Sequence, residues 1–198
     1  MPTVNTTVGA VEPASLGFTL MHEHMLFGYP AVRQSWPDSF DRPRAFQRNV
    51  AWLREAKAAG IDTIVDVTTP DNGRDIEFQR EVAQSAGIQV VVATGFWEVP
   101  RFFFGRSPEV AKEFFVRDIT EGIEGSNVKA GIIKVASDEE ELAGPKETIF
   151  RAAARAHRMT GIPITTHTDS FHHSGLDQQR VLSQEGVDLA RVVIGHSG

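Results

Sequence analysis

Four histidines and one lysine stand where apolar runs of the chain give way to polar stretches. His22 and His24 flank Glu23 directly after the first of these runs. Side chains two positions apart on a strand point to the same face, so both imidazoles project together. Imidazole suits Zn, Fe, Co and Ni ions. The His-x-His spacing therefore predicts a pair of metal ligands.

Three later runs carry a comparable residue. His167 ends the run ITTH, His196 ends VVIGH, and Lys134 lies inside the apolar run GIIKV. A lone histidine at a strand end is more often a hydrogen-bonded polar residue than a ligand. A buried lysine is costly unless it is neutralised or paired. Four histidines and a lysine at corresponding places reinforce one another and favour a metal site.

The segments that carry these residues are predicted to be buried strands. Continuous β-branched runs are typical of parallel strands covered on both faces. The predicted strands are Phe18–Leu20, Ile61–Val67, Ile88–Ala93, Gly131–Val135, Ile162–Thr166 and Val192–Ile194. Helix-period stretches lie between them. Such alternation predicts βαβ units, in either an open doubly wound sheet or a closed (β/α)8 barrel.

Chain length bears on the choice between these two folds. The predicted strands start roughly 27 to 43 residues apart, close to the spacing of βαβ units. A whole (β/α)8 barrel needs about 250 residues, whereas this chain has 198. The sequence stops at Gly198, directly after a predicted strand. We therefore expect one domain over residues 1–198, truncated at its C-terminus.

The amino-acid composition argues against several classes of protein. The net charge is 20 − 26 = −6, and the basic residues are scattered, which argues against a nucleic-acid partner. Without cysteine, any metal must be held by nitrogen and oxygen ligands. No apolar run approaches the roughly 20 residues of a membrane span, and the N-terminus lacks a secretory signal. We expect a soluble, cytoplasmic α/β protein.

The chain resembles the phosphotriesterase family of the amidohydrolase superfamily. The resemblance covers nearly the whole chain and rests on the stretches LGFTLMHEH, GIDTIVDVT, VVVATGFW, KAGIIKVAS, PITTHT and GLDQQRVLSQEGVDLARVVIGHSG. It implies a (β/α)8 TIM barrel, of which this chain covers about the first six βα units. It also implies a binuclear-metal-dependent hydrolase that acts on small neutral esters, either phosphotriesters or lactones.

The resemblance assigns a role to each of the five residues. His22 and His24 would hold the more buried of two divalent ions, and His167 and His196 the more exposed one. Lys134, carboxylated by carbon dioxide, would bridge both ions and so serve catalysis. The ions would be Zn, or alternatively Co, Mn or Fe, and would share a hydroxide that acts as the nucleophile. Related barrels are commonly dimers, so a homodimer is expected.

Two departures from the family pattern bear on activity. The family's remaining ligand is an Asp at the end of the eighth strand, beyond the last residue of this sequence. Lactone-preferring members carry a Tyr soon after the third strand, whereas this chain has Gly95-Phe96-Trp97. Trp97 is therefore the predicted substrate-binding residue, and its indole lacks the phenolic hydroxyl of that Tyr. The acidic run at residues 138–141 reads as a solvated loop.

Two other functions stay open. The stretch VIGHSG begins like the nucleophile elbow of an α/β-hydrolase, with Ser197 as the nucleophile of a serine esterase. That interpretation leaves His22, His24, Lys134 and His167 unexplained. The second alternative is an inactive metal-binding homologue or a truncated product, because a barrel without two of its strands has open edges.

Overall fold

All six predicted strands are present in the computed structural model, which describes residues 2–139 and 141–197. The chain divides into two units. The first comprises the chain up to Ala93 and the segment Gly122–Gly131, and the second comprises Thr94–Glu121 and the chain from Ile132 onward. The prediction of a single domain stays a prediction.

The first unit begins with an antiparallel hairpin and continues as alternating strands and helices. Its elements are β1 (Val4–Thr6), β2 (Gly9–Val11), β3 (Thr19–Glu23), α1 (Pro30–Ser35), α2 (Arg42–Ala58), β4 (Thr63–Asp66), α3 (Ile76–Ala86) and β5 (Gln89–Phe96). β5 runs on into the second unit. β3, β4 and β5 are parallel neighbours in that order, with Thr63 opposite both Thr19 and Gln89.

The second unit repeats the alternation. After the end of β5 it contains α4 (Pro108–Thr120), β6 (Ile132–Ser137), α5 (Gly144–Thr160), β7 (Ile164–Thr168), α6 (Ser174–Gln184) and β8 (Val192–Val193). β6, β7 and β8 are again parallel neighbours in chain order, with Ile164 opposite both Ile133 and Val192.

The strand order decides between the two architectures that the sequence left open. In a doubly wound sheet the order reverses at a switch point, whereas in a (β/α)8 barrel each strand lies beside its predecessor. Within each unit every strand neighbours the one before it. The α/β class is confirmed, and β3 to β8 are the strands of six βα units of the barrel type.

Four strands extend further toward their C-terminal ends than the apolar runs that predict them, whereas β4 and β8 end one residue earlier. β3 ends at Glu23, β6 at Ser137 and β7 at Thr168, each two or more residues beyond the prediction. Backbone hydrogen bonding continues through polar residues, which hydrophobicity alone excludes from a strand. As a result His22 and His167 lie within strands, and Lys134 lies within β6 as predicted.

Capping side chains and glycines mark the helix ends. Asp41, Asp75 and Ser107 cap α2, α3 and α4, each accepting a hydrogen bond from a backbone N–H of the first turn. Gly87 and Gly161 end α3 and α5 in the left-handed conformation. Among the described residues, no helix combines the length and apolarity needed to cross a membrane.

The hairpin of β1 and β2 was not predicted. Its strands have three residues each, too few for a periodic pattern. Long-range hydrogen bonds hold it in the first unit: Asn5 Nδ2 donates to Ala130 O at 2.9 Å, and Thr7 N donates to Val90 O at 2.8 Å. Contacts far apart in sequence, not local propensity, therefore order this segment.

Candidate metal centre

The first unit places the His-x-His pair at the C-terminal end of β3. The pairing of β3 with β4 shifts register between Leu20 and Glu23, an irregularity that re-aims the side chains near it. The imidazole centroids of His22 and His24 lie 6.1 Å apart with their planes inclined at 62°. The two rings are thus neighbours, with His22 half-buried and His24 exposed.

The end of β4 supports the segment that carries this pair. Asp66 is fully buried, and its Oδ2 accepts from Met25 N at 3.0 Å while its Oδ1 accepts from Thr68 N at 2.9 Å. Thr68 Oγ1 lies 2.9 Å from Nδ1 of His24. The Asp66 carboxylate and the Thr68 hydroxyl therefore connect the end of β4 and the residue that follows it to the residues around His24.

In the second unit, Lys134 lies in the middle of β6 with none of its surface exposed. Burial lowers the pKa of its ammonium from the ordinary 10.5 to about 7, an effect that the charge of Asp138 partly opposes. Desolvation disfavours the charged form, which explains the direction of the shift. The neutral amine is therefore far more populated at pH 7 than it is for an exposed lysine.

Two histidines of the second unit lie close together. The ring centroids of His167, on β7, and His196, after β8, are 4.6 Å apart. His196 has a φ of 59°, a left-handed conformation that costs energy for a residue with a Cβ. Backbone strain of this kind is concentrated at functional sites.

The hydrogen bonding of His167 identifies its lone-pair nitrogen. Burial lowers the pKa of His167 to about 4, an effect opposed by Asp138 and reinforced by Lys134 and His196, so the ring is neutral at pH 7. Nε2 lies 3.1 Å from Asp138 Oδ1 and must donate to it, because a carboxylate only accepts. Nδ1 then carries the lone pair. It is buried and has no hydrogen-bond partner among residues 2–139 and 141–197.

Trp97 lies beside the same residues. Its ring centroid is 4.0 Å from that of His167 and 5.6 Å from Nζ of Lys134. Gly95 makes this approach possible, because it has a φ of +115° and a Cβ there would stand 1.8 Å from Lys134 O. Lys146 Nζ donates to the carbonyl oxygen of Trp97 at 2.9 Å and fixes the segment after β5.

The donor set of the second unit fits a divalent cation. The buried Nδ1 of His167, which has no hydrogen-bond partner among the described residues, costs free energy that coordination of a cation would offset. The imidazole donors suit Zn, Fe, Co and Ni ions. The structure places Lys134, His167, His196 and Trp97 together in the second unit, and His22 with His24 in the first.

Sequence reasoning missed two contributors to these sites. Asp138 belongs to the acidic run that reads as a solvated loop, yet it contacts His167; Glu140 of that run lies outside the described residues. Thr68 had no motif to mark it. The available signal was position alone, since Thr68 directly follows the apolar run Ile61–Val67, and Asp138 lies just past the strand that bears Lys134.

We predict that Asp138→Ala weakens binding of Zn²⁺ about tenfold, because carboxylates that orient a ligand histidine typically contribute 10- to 100-fold in affinity. Chelator competition on the purified protein measures the effect. Asp169→Ala is the matched control, since Asp169 makes the same kind of contact with the exposed His172, at 2.7 Å. Equal Zn²⁺ affinity in both variants would show that Asp138 does not orient His167.

Comparison with known proteins shows which family this chain belongs to. The model of the phosphotriesterase family matches residues 2–198. The chain is 44 % identical over 209 residues to the phosphotriesterase homology protein of Mycobacterium tuberculosis, covering 100 % of this chain and 64 % of that protein. It is 40 % identical over 192 residues to the aryldialkylphosphatase of Saccharolobus solfataricus, covering 96 % of this chain and 61 % of the relative.

A further relative is the phosphotriesterase homology protein of Escherichia coli, which is 33 % identical over 184 residues, 91 % of this chain and 62 % of that protein. The chain thus spans somewhat less than two thirds of the length of these curated relatives. The family model matches almost the whole chain. The chain belongs to the phosphotriesterase family.

Proposed function

We propose that this protein is a metal-dependent hydrolase that uses two divalent cations to cleave small neutral esters, either phosphotriesters or lactones. The observation that carries the proposal is Lys134, which is fully buried, has a pKa near 7, and stands next to His167. Burial of a lysine costs free energy unless the group is neutralised or paired, and a metal site in which Lys134 is carboxylated would offset that cost. The family membership and the aryldialkylphosphatase relative support the reaction class.

The ligands follow from the family resemblance. His22 and His24 would hold one ion, His167 and His196 the other, and carboxylated Lys134 both. When bound, such a pair of ions supplies Lewis acidity toward the ester oxygen and lowers the pKa of water enough to yield a nucleophile. Zn²⁺ is the expected ion, with Co²⁺, Mn²⁺ or Fe as alternatives.

Carboxylation of Lys134 is consistent with its environment. The neutral amine attacks the carbon of carbon dioxide and loses one proton to solvent, which leaves a carbamate with a single negative charge. At an ordinary lysine pKa the amine would be almost wholly protonated and unreactive at pH 7. Desolvation of Lys134 therefore supplies the reactive form, and two cations would then stabilise the anion.

Trp97 gives the substrate an apolar surface beside the ligand histidine. Its indole offers one N–H donor and no acceptor oxygen, and its ring contacts His167 directly. An aryl leaving group can stack on such a ring, as aromatic pairs do at 4.5–7 Å. This favours bulky aryl phosphotriesters over lactones as the better substrates.

Chelation tests the proposed function. The purified protein is assayed on a dialkyl aryl phosphate before and after dialysis against 1,10-phenanthroline. We expect activity to be lost with the metal and regained on addition of Zn²⁺, Co²⁺ or Mn²⁺, with about two equivalents bound. Activity that survives metal removal, but is destroyed by a serine-directed phosphonate, would instead support the serine esterase with Ser197.

Substrate preference provides a separate prediction. Trp97→Tyr should raise kcat/KM for lactones relative to aryl phosphotriesters by at least about tenfold, because one well-placed donor to a developing oxyanion contributes 10²–10³-fold. Trp97→Phe isolates the hydroxyl, and Trp52→Tyr, on the exposed face of α2, controls for a remote change. The same ratio in the Tyr and Phe variants, at equal metal content, would show that Trp97 does not set specificity.

A further inference from the structure

The hydroxyl of Thr68 stands between a proposed metal ligand and a backbone carbonyl. Thr68 follows β4 and is fully buried. Its Oγ1 lies 2.9 Å from Nδ1 of His24 and 3.1 Å from the carbonyl oxygen of Leu26. One side chain thus contacts both His24 and the loop two residues further along the chain.

The chemistry of the three groups determines the direction of both hydrogen bonds. A carbonyl oxygen only accepts, so the contact with Leu26 is attractive only if the Thr68 hydroxyl donates its single hydrogen there. The oxygen of Thr68 can then only accept from His24. Nδ1 of His24 therefore carries a proton, and in the neutral imidazole the lone pair resides on Nε2.

We infer that Thr68 is a positioning residue that fixes the tautomer and ring orientation of His24, so that Nε2 is the nitrogen presented to a metal ion. The inference rests on the proposed function, because it concerns a ligand of the proposed centre. When Nδ1 of a neutral histidine is already hydrogen-bonded, the ring loses less conformational freedom as Nε2 binds a metal. The hydrogen bond also makes the ring a more basic ligand.

Asp66 holds Thr68 in place. Its two carboxylate oxygens accept from the backbone N–H groups of Met25 and Thr68, at 3.0 and 2.9 Å. The carboxylate thus ties the residue after His24 to the residue that contacts the His24 ring. All of these groups belong to the first unit.

The direct test is the protonation pattern of His24 in the metal-free protein. Long-range ¹H–¹⁵N correlation spectra of protein labelled with ¹⁵N-histidine distinguish the two tautomers, and a His24→Gln variant assigns the resonance. We expect protonated Nδ1 and unprotonated Nε2 in the unsubstituted protein and in Thr68→Ser. In Thr68→Val, which lacks the acceptor, this preference should be lost. An Nε2–H tautomer in the unsubstituted protein overturns the inference.

Zn²⁺ affinity is the second readout, measured by chelator competition without any substrate. Thr68→Val should bind one Zn²⁺ about 10- to 100-fold more weakly, and Thr68→Ser should stay within about threefold of the unsubstituted protein. Thr63→Val is the matched control: Thr63 begins the same strand, is equally buried, and donates to Leu16 O at 2.5 Å. It should lose a similar hydroxyl bond and keep its Zn²⁺ affinity.

The outcomes separate this inference from the proposed function. If the unsubstituted protein binds no Zn²⁺, the proposed function fails, while the tautomer spectrum still decides the role of Thr68. If two Zn²⁺ ions bind and Thr68→Val binds them as tightly as the unsubstituted protein does, the positioning role of Thr68 is overturned and the proposed function stands. Should Thr68→Val fail to fold, the spectra of the unsubstituted protein and Thr68→Ser still show which nitrogen of His24 carries the proton.

Discussion

Lys134→Ala is expected to lose binuclear metal binding and to lower kcat/KM at least about 100-fold. A metal that polarises an ester oxygen stabilises the transition state by several kcal/mol, and about 1.36 kcal/mol corresponds to a tenfold change in rate. The carbamate of Lys134 is the proposed ligand shared by both ions, so its removal affects both at once. Metal content by elemental analysis and hydrolysis of a dialkyl aryl phosphate measure the two effects.

Rescue and a control make the Lys134 experiment specific. Acetate or propionate added to Lys134→Ala should partly restore both metal content and activity, because a small carboxylate can occupy the space of the carbamate. Lys112→Ala is the control, since Lys112 lies on α4 in an ion pair with Glu109. In the unsubstituted protein the carbamate should add the mass of one carbon dioxide under mild ionisation. An unmodified ammonium with two ions bound would disprove the role.

The double substitution His22→Ala/His24→Ala should reduce bound Zn²⁺ from about two equivalents to about one and lower kcat/KM by at least about 100-fold. Both imidazoles come from the end of β3, so their removal eliminates the proposed protein nitrogen ligands of one ion. The second unit keeps its own histidine pair, which should still bind.

His172→Ala/His173→Ala is the matched control for that experiment. These residues also form a close histidine pair, in the loop between β7 and α6, and both are exposed. We expect two equivalents of Zn²⁺ and full activity in this variant. Two equivalents in His22→Ala/His24→Ala as well would mean that the ligands are assigned wrongly.

Much of the fold can be predicted from local sequence. Apolar runs predict every strand from β3 to β8, and the β-branched runs of β4, β5 and β6 reflect burial on both faces. Asp41, Asp75 and Ser107 mark helix starts through hydrogen bonds that involve only near neighbours in sequence. The hairpin of β1 and β2 was not predicted, since its order depends on Ala130 and Val90, far away in sequence.

The five proposed ligands were likewise predicted from sequence, for a physical reason. The carboxyl ends of parallel strands meet at one edge of a sheet, so reactive side chains at those ends are expected to come together without any knowledge of loops. His167 and His196 lie on neighbouring segments of the second unit, with ring centroids 4.6 Å apart.

The residue types and spacing thus predicted by themselves the proposed metal ligands and the strands that carry them. Only the tertiary structure decided the state of those side chains. The lowered pKa of Lys134 comes from burial by residues distant in sequence, and the lone-pair nitrogens of His24 and His167 are set by Thr68 and Asp138. Desolvation and hydrogen-bond direction depend on what surrounds an atom in space, and no local pattern encodes that environment.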